Sequence, residues 1–303
     1  MIGYACINVK LSNQKPRVYT GRSMIKRTFE QKGIRYASEL GLQNCKDLME
    51  IIKWNNEHDF KFFRITSNLF PWCSEYELKS MPDYEEIKST LYEIGEYVKE
   101  NQMRITSHPG PFNVLTSPHE HVVENCIKDL SIHGEVFDLM NLSRTPWNKI
   151  NIHIGGVYGD KISAMERFCK NFTRLPESVR SRLTVENDDK ASMYSVKDLY
   201  HGVYEVIGIP IVFDYHHHRF NTGDLSEREA LELACLTWRD IKPVVHYSES
   251  RSSEKKDNTI REQAHSDYIY EYIDTYDCDV DIMVEAKMKE LAVLRYKEIH
   301  NIV

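Results

Sequence analysis

This 303-residue sequence contains no apolar run longer than a buried strand. A membrane-crossing helix of about 20 apolar residues is therefore not expected. Its seven cysteines are scattered singly, with no C-x-x-C pair, which fits free thiols better than a disulfide framework or a thiolate metal site. Neither a G-x-G-x-x-G fingerprint nor a P-loop is present, so nothing cradles a dinucleotide or a nucleoside triphosphate in the usual way. Excess positive charge is missing too. The formal net charge is −7, which argues against a chain coated in basic residues, although a local basic face stays open. There are no internal repeats and no low-complexity tracts. The first residues, Met1-Ile2-Gly3-Tyr4, run straight into a strand-like segment without a secretory or transit pattern.

What is present is an alternation. Short β-rich runs occur at Ile2–Asn8, Phe60–Thr66, Arg104–His108, Lys149–Ile154, Arg182–Glu186, Ile209–Asp214, Lys242–His246 and Val280–Glu285. Between them lie segments with apolar residues three and four apart, such as Ile87, Leu91, Ile94 and Val98. Ser117-Pro118, Ser195 and Ser226-Glu227 supply acceptors where helices should begin. Eight strand–helix units without a composition break predict an α/β fold, one (β/α)₈ TIM barrel spanning residues 1–303. Two segments interrupt the rhythm. Lys10, Lys15, Arg17, Arg22, Lys26, Arg27, Lys32 and Arg35 face a single acid, Glu30, and Ser248–Asn258 reads as a polar flap or insertion after strand seven.

In such a barrel the carboxyl ends of the strands converge on one pocket. The apolar run ending in Val212-Phe213 stops at Asp214-Tyr215-His216-His217-His218, and the neighbouring strands stop similarly. His108 follows strand three and His153 strand four. Glu186 ends strand five, Asp214 and His217 strand six, His246 strand seven and Glu285 strand eight. Six consecutive strands ending in Asp, Glu or His point to a polynuclear metal site. Imidazoles and carboxylates without thiolates suit Mn²⁺ or Zn²⁺ in a catalytic setting. Divalent charge in such a pocket would favour a phosphodiester and let an acidic protein grip DNA.

The motifs around these residues resemble those of the UV damage endonuclease family. They include Ile2-Gly3-Tyr4 with Asn8, Arg64-Ile65-Thr66-Ser67-Asn68-Leu69-Phe70-Pro71, and Ser107-His108-Pro109-Gly110. Further on come Ile152-His153-Ile154-Gly155-Gly156, Val185-Glu186-Asn187-Asp188-Asp189, Phe213-Asp214-Tyr215-His216-His217, Ala264-His265-Ser266-Asp267-Tyr268 and Met283-Val284-Glu285-Ala286-Lys287. The resemblance implies a three-metal cluster, usually Mn²⁺ with Zn²⁺ or Co²⁺ as alternatives. Its ligands would be His108, His153, Glu186, Asp214, His217, His246, His265 and Glu285, leaving His216 and His218 as surface or backbone contacts. It implies hydrolysis of damaged double-stranded DNA immediately 5′ of cyclobutane dimers and 6-4 photoproducts, with abasic sites accepted by many members, leaving a 3′-hydroxyl and a 5′-phosphate. Glu186 and Glu285 would act with Lys287 on the phosphate. Tyr4 and Asn8 would face the flipped lesion, and Pro111 and Phe112 would stand where the family places a Gln-aromatic wedge. A monomer is expected, not attached to a membrane, cytoplasmic and nucleoid-associated in a prokaryote or encoded by a virus.

Two departures stand out. Pro111 and Phe112 keep an aromatic ring but lose an amide and a phenol hydroxyl, and Val244 stands where family members carry a lysine that can be carboxylated. The rivals are an endonuclease IV-like abasic-site enzyme, a sugar isomerase on the same barrel and a non-catalytic lesion-binding protein. An Asp expected by the first of these two residues before His246 is absent, because Val244 is there.

Overall fold

The computed structural model describes residues 1–302. Its eight strands are β1 (Ile2–Cys6), β2 (Phe62–Ile65), β3 (Arg104–Ser107), β4 (Ile150–Ile152), β5 (Leu183–Glu186), β6 (Ile211–Asp214), β7 (Val244–Tyr247) and β8 (Asp281–Val284). Each pairs in parallel with its sequence neighbour, and β8 pairs with β1, so the sheet closes into a barrel in strand order. All eight expected strands form, as the TIM-barrel reading requires, and they are trimmed mostly at their ends. Parallel neighbours need long crossovers, and these carry the helices that wrap the sheet. The largest are Lys26–Glu57, Tyr84–Glu100, Glu120–Leu139, Lys161–Phe172, Glu227–Leu236 and Glu290–His300. Among the described residues no helix is long and apolar enough to cross a membrane. All seven cysteines are free thiols.

Residue parity explains where the core and the site lie. Successive strand side chains face opposite ways. Phe213, Val245, Ile282 and Val284 pack outward against the helices. Val212, Val244 and Met283 point inward with Ala5, Phe62 and Trp238, forming a second apolar cluster inside the barrel. Two residues beyond each inward member, on the same face, come Asp214, His246 and Glu285. The apolar floor and the polar rim are thus set by the same two-residue period. Gly3 belongs to this design: a Cβ there would come within 2.2 Å of the Phe62 carbonyl oxygen, so only glycine lets β1 and β2 approach.

Below the floor, Arg104 and Asp281 form a fully buried pair, Nη1 to Oδ2 at 2.8 Å. The guanidinium also donates to the carbonyls of Trp147 and Lys242, at 2.9 Å each, and lies 4.4 Å from the Trp147 ring centroid. Serine caps close helix starts as expected at Ser195 and Ser226, each in a reciprocal capping box. At Ser117 the helix starts later, at Glu120, and the serine hydroxyl instead accepts from the amide of His119.

Removing one partner of the buried pair leaves the other charge stranded. Asp281→Ala should lower stability by about 3–5 kcal/mol in urea denaturation, whereas Arg104→Met with Asp281→Leu should cost far less.

Candidate metal centre

Glu186 sits at the centre of the barrel mouth, 1% exposed. One oxygen, Oε2, lies 3.1 Å from His108 Nε2 and accepts from Asn151 Nδ2 at 2.5 Å. Oε1 lies 3.1 Å from His246 Nδ1 and 3.5 Å from His217 Nδ1. Three overlapping groups of donors, each able to hold one cation, result: His108–Glu186–His246, His153–Glu186–His217 and Asp214–His246–Glu285. Seven of the eight expected ligands therefore meet. The eighth, His265, lies at the edge of this set, with Nδ1 3.7 Å from Glu285 Oε2.

Backbone and carboxylate acceptors aim the imidazoles. Nδ1 of His217 donates to the Asn187 carbonyl at 2.8 Å, Nδ1 of His265 to the Glu285 carbonyl at 2.9 Å, and Nδ1 of His108 contacts the Pro109 carbonyl at 3.1 Å. Nδ1 of His153 faces Asp188 Oδ1 at 3.0 Å. Each of these rings is left with Nε2 free to ligate. Asn187 does more: its side chain binds both the amide and the carbonyl of Asp214, at 2.8 and 3.0 Å, and welds the ends of β5 and β6. The Gly155 backbone has φ +110°, and a Cβ there would strike Val114 and Thr116, which explains the glycine after His153-Ile154. The polar segment after β7 is pinned rather than a flap. It forms the helix Arg251–Lys255, Glu254 accepts from the amides of Asp267 and Tyr268, and Ser250 pairs with His265. Its role is to hold His265 in place.

Four contributors escaped the sequence reading, Asn151 beside Glu186 among them. Arg64 is a partner of Glu285. Thr184 donates to Asn151 at 2.7 Å and so orients the amide that serves Glu186. Lys149 is fully buried, with Nζ 3.2 Å from His246 Nε2. It inverts the arrangement seen in the other rings, anchoring His246 through Nε2 and presenting Nδ1 to the carboxylates. Strand parity was the available signal, since Lys149 and Asn151 share the face of His153. Val244, two residues below His246, belongs to the apolar floor and touches this chemistry only through packing.

Several expected contacts lie elsewhere. Tyr4 points outward from the barrel and is fully buried, its hydroxyl donating to Asn55 at 2.5 Å and accepting from Asn8 at 2.9 Å. Asn8 is also fully buried and caps the short helix Val9–Ser12. In this conformation protein encloses both: odd parity on β1 belongs to Gly3 and Ala5, so Tyr4 turns away from the barrel interior, and Asn8 lies beyond the strand. His216 and His218 are buried rather than on the surface: His216 packs edge-on against Phe220 and His265, and His218 against Phe213. Phe112, by contrast, is 87% exposed, and Pro111 and Lys287 are exposed at the same end of the barrel.

The electrostatics of the site call for cations. Burial alone would raise the Glu186 carboxyl, but His246 and His153 hold it well below the usual range. Burial and the neighbouring Glu186 and Glu285 push Asp214 up to about 8. Burial lowers His153, yet Glu186 and Asp188 overcome it and raise the ring to about 10. His246 Nδ1 and Asp214 Oδ2 are buried without a hydrogen-bond partner. Orphaned donors of oxygen and nitrogen lone pairs, in a carboxylate–imidazole set, fit divalent cations.

A cation must displace protons from Asp214 and His153. Binding of Mn²⁺ at pH 7 should release protons, and affinity should rise as pH climbs through about 8, where Asp214 ionises. Calorimetry in buffers of different ionisation enthalpy measures this; equal apparent enthalpies would contradict it. Replacing Lys149 with Met should weaken Mn²⁺ binding about 10–100-fold by equilibrium dialysis, with the circular dichroism spectrum unchanged.

The chain matches the family described as UV-endonuclease UvdE over residues 1–302. It is 36% identical to the UV-damage endonuclease of Schizosaccharomyces pombe, covering 96% of this chain but 49% of that protein. A putative UV-damage endonuclease of Acanthamoeba polyphaga mimivirus is 32% identical, with 97% of this chain and 89% of that protein covered. The chain thus spans about half the length of the fungal relatives and nearly all of the viral one. The crystal structure of SacUVDE superposes with a TM-score of 0.84 at 31% identity, covering 99% and 97% of the two chains. A D-psicose 3-epimerase shares only the fold, at 12% identity and TM-score 0.55. On the match along its whole described length, this chain belongs to the UV-endonuclease UvdE family.

Proposed function

We propose that this chain is a metal-dependent endodeoxyribonuclease that hydrolyses damaged duplex DNA on the 5′ side of UV photoproducts, leaving a 3′-hydroxyl and a 5′-phosphate. The observation that carries the reading is the Glu186-centred set of three donor groups at the mouth of the barrel, close in sequence and space to an exposed aromatic on the loop after β3.

The ions would be held by His108, His153, Glu186, Asp214, His217, His246 and Glu285, with His265 completing the edge. When bound, divalent cations, Mn²⁺ by preference, supply Lewis-acid charge to a phosphodiester and make water a better nucleophile near neutral pH. The protein's own residues set the rest. Arg64 holds the carboxylate of Glu285; burial alone would raise that group, but the charges of Arg64 and His246 keep it ionised, well below the ordinary range. Asn151 and Thr184 fix the orientation of Glu186. Lys287 is exposed beside Glu285 and has no ion pair among the described residues, so its charge is free for a backbone phosphate.

The basic segment suits the duplex outside the site. Lys10, Lys15, Arg17, Lys26, Arg27, Lys32 and Arg35 are all exposed, while Arg22 is taken by Asp47 at 2.6 Å. Binding through such residues is electrostatic and weakens with salt. Phe112 would enter the stack where the damaged pair leaves it. A flat ring stacks on bases with a value of about 1–3 kcal/mol each, and a lesion that stacks poorly is cheaper to expel.

On a duplex carrying one thymine dimer, Glu186→Gln should lower incision more than about a hundredfold, beyond the range for disturbing a ligand's support alone, while lesion binding stays measurable. Turnover at the wild-type rate, with metal content verified, would contradict the proposal. Pro111→Gln should change the relative incision of dimers, 6-4 products and abasic sites, and identical ratios would show that this position does not read the lesion.

A further inference from the structure

The loop that carries His153 away from β4 is held from three sides. Gly155 packs on the loop after β3, where a Cβ would lie 2.5 Å from a Val114 methyl and 2.6 Å from the Thr116 hydroxyl. The Gly156 carbonyl accepts from the Tyr194 hydroxyl at 3.3 Å. At the far end Asp160 caps the helix Lys161–Phe172, accepting from the amides of Ile162 and Ser163 at 3.0 and 3.3 Å. Between these anchors stands Tyr158, 46% exposed. We propose that Tyr158 binds DNA by stacking its ring on a nucleobase that borders the lesion on the damaged strand. The inference rests on the endonuclease reading above and adds a contact on the β4 side of the site.

A tyrosine is a costly choice at this position. The Asp160 amide donates to the Val157 carbonyl at 3.0 Å, closing a turn whose central residues, Tyr158 and Gly159, have φ of +49° and +83°. Turns with positive φ at both central positions favour Asn or Asp followed by Gly. Gly159 obeys that rule and Tyr158 breaks it, since bulky side chains rarely adopt left-handed backbone. Such strain persists only where the surroundings enforce it, and it gathers at functional sites. Packing does not account for the residue, because Tyr158 belongs to neither apolar cluster.

What the ring does touch prepares it for a base. Gly156 lies against it, where a Cβ would come within 3.3 Å of Cε2. The Arg167 guanidinium lies 5.8 Å from the ring centroid and is fixed by Nε donating to the Thr116 carbonyl at 2.7 Å. Bases of any identity stack on such rings, and the neighbouring cation favours the polyanion that carries them. Because the ring is already held in place, little freedom is lost on binding. The loop begins at a ligand of the metal centre, so it borders the strand that is cut. Its partner loop carries Phe112, so the two exposed rings stand on loops that touch. Phe112 would open the stack, and Tyr158 would hold a base beside the gap.

The test uses the full chain with Mn²⁺ and a duplex carrying a single thymine dimer. Tyr158→Asn supplies the Asn-Gly pair that the turn prefers, so the loop is kept while the ring is lost. It should raise KM about tenfold, within the range for one base–aromatic stack, and leave kcat unchanged. Its melting temperature should equal or exceed that of wild type, because the turn is relieved. Tyr158→Phe retains the ring and should keep the wild-type KM. A binding signal separates stacking from an indirect effect. With 2-aminopurine beside the dimer, on its 5′ and 3′ sides in turn, wild-type protein should quench the fluorescence. Tyr158→Asn should restore it several-fold in one placement. An unchanged KM, a fall in kcat alone, a lowered melting temperature or unaltered quenching in both placements would overturn the role and leave the endonuclease reading intact. Wild-type protein that cuts no dimer duplex would overturn that reading and the role with it.

Discussion

A carboxylate buried among imidazoles is the constraint on which this structure turns. Glu186 is almost fully enclosed, yet His153 and His246, with the amide of Asn151, keep it ionised. Such a charge is tolerated only where partners are fixed, because an unpaired buried charge costs several kcal/mol. The surrounding architecture supplies that fixity. Carbonyls of Pro109, Asn187 and Glu285 orient three rings, Asp188 orients a fourth and Lys149 a fifth. The ring closure of the sheet brings these groups, far apart in sequence, within ligating distance of one carboxylate.

Inside the barrel, charge is layered. The floor of Ala5, Phe62, Val212, Val244 and Met283 separates the buried pair of Arg104 and Asp281 from the rim. Above it, Arg64 offsets part of the acidity of Glu186, Asp214 and Glu285, while burial pushes the Lys149 ammonium well below its ordinary range. Burial, with the neighbouring Glu186 and Glu285, still raises Asp214. Three carboxylates facing one mouth with orphaned lone pairs therefore leave room for cations, and cations in turn explain how an acidic chain would hold a polyanion. The exposed bases of the Lys10–Arg35 segment extend that attraction over the outer surface.

Much of this was legible because barrels obey parity. Apolar runs ending in Asp, Glu or His announced both the strands and seven of the clustered ligands. His265 was reached only through its motif, since it lies on a loop rather than at a strand end. The motif carried Tyr4 and Asn8 to a lesion; here Gly3 and Ala5 occupy the inward face of β1, so Tyr4 turns toward the helix Lys26–Glu57 and both side chains are buried. Lys149, Arg64 and Asn151 were passed over because lysine and arginine within a strand read as edge residues, and nothing local reveals that a barrel interior will bury them beside an acid. Of the three consecutive histidines, two expected as surface or backbone contacts are buried instead. Only His217 joins the cluster, while His216 and His218 are drawn inside by ring packing.

The central claim, that this barrel mouth cuts UV-damaged DNA with the help of cations, is tested most directly by nicking. Supercoiled plasmid, irradiated or not, is incubated with the protein and Mn²⁺, with and without excess chelator, and the breaks are mapped by primer extension. The account predicts breaks only in irradiated plasmid, immediately 5′ of adjacent pyrimidines, and none once the metal is chelated. Equal nicking of undamaged plasmid, or nicking that survives chelation, would contradict it.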